Sequence, residues 1–300
     1  MMKIIMVCPY KLGDALLTFP ILVALRAKYT NVHITFVSNP AVLPLAQEWH
    51  IADEVREFDK HWSKLFSDNV VHRSKLRPLL QQTDLVLGWP TLSAMMLRQN
   101  LLEAGARNVI ILKPPDEGST HVAVHIAELA GVPPVQPENI ALPYTGHAGF
   151  NPGKAPVALH PGCMEYRRWP ASSFSALIDA LLRLQYPVLL LGGPNEGELL
   201  KTVQQHVTIA PGKGMFTVLN NAPLLELSRQ LKQSSCFVGH DTGTSHLAGM
   251  LGISTLVLFG PSNPAIWRPV GPAVTVIQQE PLSALSVNAV LEHVRHAYSS

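Results

Sequence analysis

Four short stretches of this sequence combine residue types that could do chemistry together. The first is Lys11-Leu12-Gly13-Asp14. A carboxylate held at the mouth of a helix can act as general base on a hydroxyl brought to it. Asp14 would equally serve as a helix-terminal acid that satisfies orphan N–H groups and favours the dipole. The second runs from Pro161 to Pro170 and carries Arg167 and Arg168 just before Trp169. A guanidinium fork matches phosphate oxygens, although a solvated pair or an arginine stacked on a ring is the alternative. The third is Gly192-Gly193-Pro194-Asn195-Glu196. Its glycines allow close approach, and Glu196 is placed either to accept bonds from ribose hydroxyls or to favour a helix start. The fourth is Gly239-His240-Asp241-Thr242-Gly243-Thr244-Ser245-His246. Small residues at a helix mouth expose backbone N–H groups, and the dipole adds positive potential, which makes an anion site. A capped turn would account for Asp241 and Gly243 but not for the whole run of small polar residues.

The elements around these stretches place them alike. Lys3 to Val7 is a short apolar run of the kind that forms a buried parallel strand. Helical spacing follows over Ala15 to Lys28, with Pro20 expected to kink it or delay its start. Further strands are expected at His33–Val37, Asp84–Leu87 and Val109–Leu112, with a basic, poorly patterned stretch over residues 60–82. Proline and glycine crowd residues 143–156, the best linker in the chain. Beyond it, strands are expected at Val157–His160, Val188–Leu191, Cys236–Val238 and Thr255–Phe259. Helices are expected at Ser173–Leu184, Glu196–His206, Leu224–Lys232 and Thr244–Leu251. Alternating strand and helix units imply an α/β fold with parallel sheets. Two such domains are expected, over residues 1–148 and 149–300, with a last helix near 284–298 free to pack back on the first. Ligands of such sheets bind past the carboxyl ends of the strands, which is where all four stretches lie.

Composition sets the limits. The 300 residues carry 23 Lys and Arg against 21 Asp and Glu, a net charge of +2, so no bulk attraction to nucleic acid is expected. Charged residues are only 15% of the chain, which makes the adjacent arginines conspicuous. Cys8, Cys163 and Cys236 are widely spaced, which argues against a disulfide framework or a zinc site and fits a reducing compartment. The N-terminal apolar run is too short for a signal peptide, and no stretch approaches the length of a membrane span. A cytoplasmic protein is expected. No phosphate-loop motif and no G-x-G-x-x-G after the first strand are present, which argues against a P-loop enzyme and a nicotinamide or flavin enzyme. His121 and His125 have metal-ligand spacing but no third ligand nearby. The basic span that includes Lys64 and Arg73 reads either as a site for an anionic acceptor or as a solvated face.

Taken together, the stretches resemble glycosyltransferase family 9. Gly13-Asp14 through Thr18 and Pro20 is similar to its opening motif. His160-Pro161-Gly162 with Arg168-Trp169-Pro170 resembles its second, Asp241 through Ala248 its signature, and Leu258 through Pro264 the motif that follows. The resemblance implies a GT-B architecture, two Rossmann-like domains with parallel sheets facing across a cleft. It implies inverting, metal-independent transfer of a heptose or related sugar from an ADP-sugar co-substrate to a saccharide or glycolipid acceptor in lipopolysaccharide core synthesis. No cofactor is expected, and a glycolipid acceptor would bring the protein to the inner face of the cytoplasmic membrane. Asp14 is then the base. Arg167, where the family has Lys, balances diphosphate charge, and Arg168 is a further donor-binding candidate. Glu196 meets ribose, and Asp241, Thr242, Gly243, Thr244 and His246 hold the donor. Lys11, Lys64 and Arg73 are the acceptor-side candidates. A two-lobed sugar-nucleotide-binding protein and a nucleotide-sugar epimerase of GT-B type remain the alternatives.

Overall fold

The computed structural model describes residues 1–67, 75–90, 93–141 and 155–299. The chain forms two compact units, Met1–Gln136 and Pro137–Ser300. The division lies upstream of the Pro/Gly-rich stretch, most of which, residues 142–154, is outside the described residues, as is the expected boundary at 148. Pro137 belongs with the second unit for a local reason. Its carbonyl accepts from Gly271 N–H at 2.8 Å, and Glu138 pairs with Arg268 at 3.4 Å.

The first unit holds a parallel five-stranded sheet of β1 (Met2–Cys8), β2 (Val32–Ser38), β3 (Glu54–Glu57), β4 (Leu85–Gly88) and β5 (Val109–Ile111), in the order β3-β2-β1-β4-β5. β1 is central because Ile4 to Cys8 are buried, leaving no solvated face. The helix after it spans Leu12–Lys28 and passes through Pro20. It starts earlier than the spacing suggests, because its first turn is Leu12-Gly13-Asp14. Pro20 lacks only the N–H that would bond Leu16, and neighbours on both sides are buried, so packing outweighs that loss. The stretch over 60–82 contains the short helices Lys60–Ser63 and Arg77–Gln81 and a 3-10 turn, Lys64–Phe66. The helix Val122–Leu129 explains one of the paired histidines: His121 is its N-cap, with Nδ1 accepting from Ala123 N–H at 3.1 Å.

The second unit holds a parallel six-stranded sheet of β6 (Val157–His160), β7 (Val188–Gly192), β8 (Phe216–Asn220), β9 (Cys236–His240), β10 (Ser254–Phe259) and β11 (Val274–Gln278). The order is β11-β10-β9-β6-β7-β8. Strands 6, 7 and 8 run to one side and 9, 10 and 11 to the other, so the chain reverses direction across the sheet between β6 and β9. The register pairs His160 with Gly239, which brings the two strand ends level. In the first unit the same reversal falls between β1 and β4. Such switch points are where open parallel sheets bind ligands. The last helix, Val287–Ser299, is anchored in the second unit's own core through Val290 and Val294. All three cysteines are free.

Candidate functional site

The loop leaving β6 is held in place by Trp169. Its ring is fully buried, and its indole N–H donates to Leu285 O at 3.0 Å. Its backbone N–H donates to His240 Nε2 at 2.8 Å, at the end of β9. That bond fixes the histidine's tautomer, since the accepting nitrogen carries no proton. Burial, then the neighbouring His160, push the His240 pKa down to about 3, so the ring stays neutral. Phe174 meets it edge-on at 5.5 Å.

With the loop anchored, its two arginines separate. Arg167 Nη1 donates to Asp241 Oδ2 at 3.3 Å and to Ser262 Oγ at 2.8 Å, joining the loops after β6, β9 and β10. Arg168 turns into its own loop and donates to the Cys163 carbonyl. It therefore braces the backbone rather than joining the Arg167 cluster. Burial raises the Asp241 pKa above the ordinary carboxylate value, with Arg167 and Ser262 pulling it partway back.

Thr242 is the N-cap of the helix Gly243–Met250, yet its side chain makes no capping bond. Its Oγ1 is buried without a hydrogen-bond partner among the described residues, and so is Arg167 Nε. Ser245 Oγ is taken by the His240 carbonyl. The first N–H groups of that helix, on Gly243 and Thr244, have no intrahelical acceptor by geometry. A hydroxyl, a guanidinium bonded to the neighbouring Asp241 and a helix N-terminus thus lie on the loops after β6 and β9, the composition of a site for a phosphate-like anion. His246 lies in the same helix but is nearly fully buried.

Glu196 stands at the N-cap position of the helix Gly197–Gln205, but its side chain does not cap it and reaches sideways instead. Its Oε2 accepts from Gly193 N–H at 2.7 Å and meets His160 Nε2 at 3.0 Å. Burial works against its charge, but His160 and the Gly193 N–H outweigh burial and hold its pKa below the ordinary value.

In the first unit, Asp14 lies in the first turn of its helix, whose cap position is Lys11 without a side-chain cap bond. Burial raises the Asp14 pKa, and Lys11 opposes that rise. Lys11 and Lys64 are both exposed. The Tyr10 and Phe66 rings meet edge-on at 6.3 Å, which sets the turn carrying Lys64 beside the β1 loop. Arg73 lies outside the described residues.

His160, His240 and Ser262 were absent from the expected site. Only their place at strand ends, in His160-Pro161-Gly162 and Gly260-Pro261-Ser262, hinted at them. Among the described residues no group of three or more His, Cys, Asp or Glu could hold a metal ion.

Residues 148–291 match the sequence family Glycosyltransferase family 9 (heptosyltransferase). That match covers just under half of the chain, and it makes the second unit heptosyltransferase-like in sequence. Lipopolysaccharide heptosyltransferase 3 of Escherichia coli is 28% identical over 126 residues, 41% of this chain and 36% of that protein. The match thus spans little more than a third of that relative. The fold extends much further than the sequence match. The structure of E. coli ADP-heptose lps heptosyltransferase II superposes with a TM-score of 0.81 and 17% identity over 99% of each chain. E. coli heptosyltransferase WaaC with ADP gives 0.72 at 20% identity, over 99% of this chain and 100% of that one. The chain therefore has the GT-B type of fold, two parallel-sheet α/β domains. No helix among its described residues is long and apolar enough to cross a membrane.

Proposed function

We propose that the chain is an inverting glycosyltransferase that moves a heptose or related sugar from an ADP-sugar to a saccharide or glycolipid acceptor in lipopolysaccharide core synthesis. The observation that carries this reading is the cluster of Arg167, Asp241, Ser262 and the unpartnered Thr242 hydroxyl at a helix N-terminus. The identity of the nucleotide rests on the relatives, whose descriptions name ADP and ADP-heptose.

In this reading the Thr242 hydroxyl and the Gly243 and Thr244 N–H groups receive the diphosphate, and Arg167 balances its charge. Asp241 orders the donor loop and meets the sugar, while Glu196 takes the ribose. Asp14 takes the proton of the acceptor hydroxyl as that oxygen bonds to the anomeric carbon, and the bond from that carbon to the diphosphate breaks. Burial suits Asp14 to this task, because a carboxylate with a raised pKa is a stronger base. The leaving diphosphate is stabilised by fixed donors that need no reorganisation as charge develops. Lys11 and Lys64 serve the acceptor side, and a glycolipid acceptor sets the work at the inner face of the cytoplasmic membrane.

A thermal-shift series with ADP-, UDP- and GDP-sugars, followed by a turnover assay with ADP-heptose, tests the reading. A ligand at about 100 times its Kd stabilises by roughly 2.7 kcal/mol, a rise of roughly 5–11 °C at about 2–4 °C per kcal/mol. The ADP compounds are expected to give that rise. No response to ADP or ADP-heptose would refute the reading.

A further inference from the structure

Glu196 is a carboxylate whose orientation is imposed from three sides. Gly193 N–H and His160 Nε2 both engage Oε2, at 2.7 and 3.0 Å. Gly162 forms the third side, since a Cβ built there would overlap the Glu196 carboxylate. Oε1 has no hydrogen-bond partner among the described residues. His160 is itself fixed. It ends β6, is 5% exposed, and its backbone is paired in register with Gly239. A long, rotamer-rich side chain on a loop is thereby reduced to one placement, which removes ordering cost from whatever the free oxygen binds.

We propose that His160 is a positioning residue that presets Glu196 to accept a hydrogen bond from the ribose diol of the nucleotide, with Gly162 supplying the room the carboxylate occupies. The inference deepens the proposed donor site and rests on that reading. His160 touches no substrate. With its proton on Nε2 the ring donates to Oε2, which leaves Oε1, lying over Gly162, as the oxygen without a partner. The ribose hydroxyl donates and Oε1 accepts. A bond to a charged group contributes about 1.5–3 kcal/mol, and a deoxynucleotide lacking the hydroxyl leaves that oxygen unpaired. Discrimination between ribose and deoxyribose is then a property of His160 as much as of Glu196.

The test compares binding of ADP with that of 2′-deoxy-ADP and 3′-deoxy-ADP by calorimetry. The full chain is used, in the parent, His160→Phe, His160→Gln and Gly162→Ala. The parent is expected to prefer ADP over at least one deoxynucleotide by roughly 10- to 150-fold, the same bond converted at about 1.4 kcal/mol per decade. In His160→Phe the preference is expected to fall below about threefold, while deoxynucleotide binding stays near parental, because the anion contacts are untouched. His160→Gln restores a side-chain N–H and is expected to recover part of the preference. Gly162→Ala keeps the histidine but displaces the carboxylate, and is expected to lose the preference too, so the proposal stays testable if one variant folds poorly. A parental preference retained in either His160→Phe or Gly162→Ala overturns the positioning role while leaving the donor site intact. A parent that binds ADP without discriminating overturns the ribose contact. A parent that binds no ADP removes the donor site and the inference with it.

Discussion

Acidification should destabilise this protein through one buried ring. His240 is fully buried, accepts the Trp169 N–H, and has its pKa lowered to about 3 against an ordinary 6.5. His160 and Arg168 also disfavour its charge, and Glu196 favours it without compensating for burial. A group whose folded pKa is depressed binds more protons when unfolded. Its contribution to stability is full above 6.5 and is lost as pH falls toward the folded value. Integrating between the two pKa values gives a penalty near zero at pH 7 and about 2 kcal/mol at pH 5. Because the folded value lies well below 5, that difference is set almost wholly by the ordinary histidine pKa of the unfolded chain. The perturbation is His240→Gln, whose amide oxygen can still accept from Trp169 N–H but does not titrate. Urea unfolding at pH 7, 6 and 5 should show the parent losing about 2 kcal/mol more than the variant across that range. The gap should open mostly below pH 6.5. Parallel pH curves for the two proteins would refute a neutral, desolvated His240 and with it the proposed anchoring of the donor loop.

Three further outcomes follow from the same geometry. Arg167→Met should weaken ADP binding by roughly 10- to 150-fold, the loss of one charge-assisted contact of about 1.5–3 kcal/mol, and calorimetry within twofold of the parent would count against the anion site. Asp14→Asn should lower turnover by about 10²–10⁴-fold with ADP binding unchanged. It should also raise the Tm at neutral pH, because a carboxyl whose folded pKa is raised contributes stability at acid pH and loses it as pH rises through that pKa; a variant that turns over at the parental rate removes Asp14 as the base. Gly249→Ala should cost about 1–3 kcal/mol, since the added Cβ would lie 2.5 Å from Val270 O, and an unchanged urea midpoint would contradict that close approach.

The sequence was most legible where burial was complete. β6 is Val157–His160 as expected, and β1, β2, β7 and β10 differ from their expected ends by a residue or so, because a strand covered on both faces must read as a continuous apolar run. The strands that escaped, β3, β8 and β11, all lie at sheet edges. Each is half solvated, as in Glu54–Glu57 with its two exposed residues, so its composition resembles a loop. The helices Ala94–Glu103 and Val122–Leu129 went unread too, since capping by Ser93 and His121 marks their starts more clearly than any apolar stripe.

By itself the sequence determined which loops lie at strand ends, because strand and helix alternation fixes where those ends must be, and it determined the family those loops resemble. It could not say which of two adjacent arginines faces Asp241, or that Glu196 is held by a histidine 36 residues earlier. Those outcomes were decided by the strand order that sets β6 beside β9, and by the register that levels His160 with Gly239. Local propensity acts over a few residues. Arg167 meets partners 74 and 95 residues away. Only the packed sheet brings such groups within hydrogen-bond reach, and only burial there gives Asp241 and His240 their shifted proton affinities.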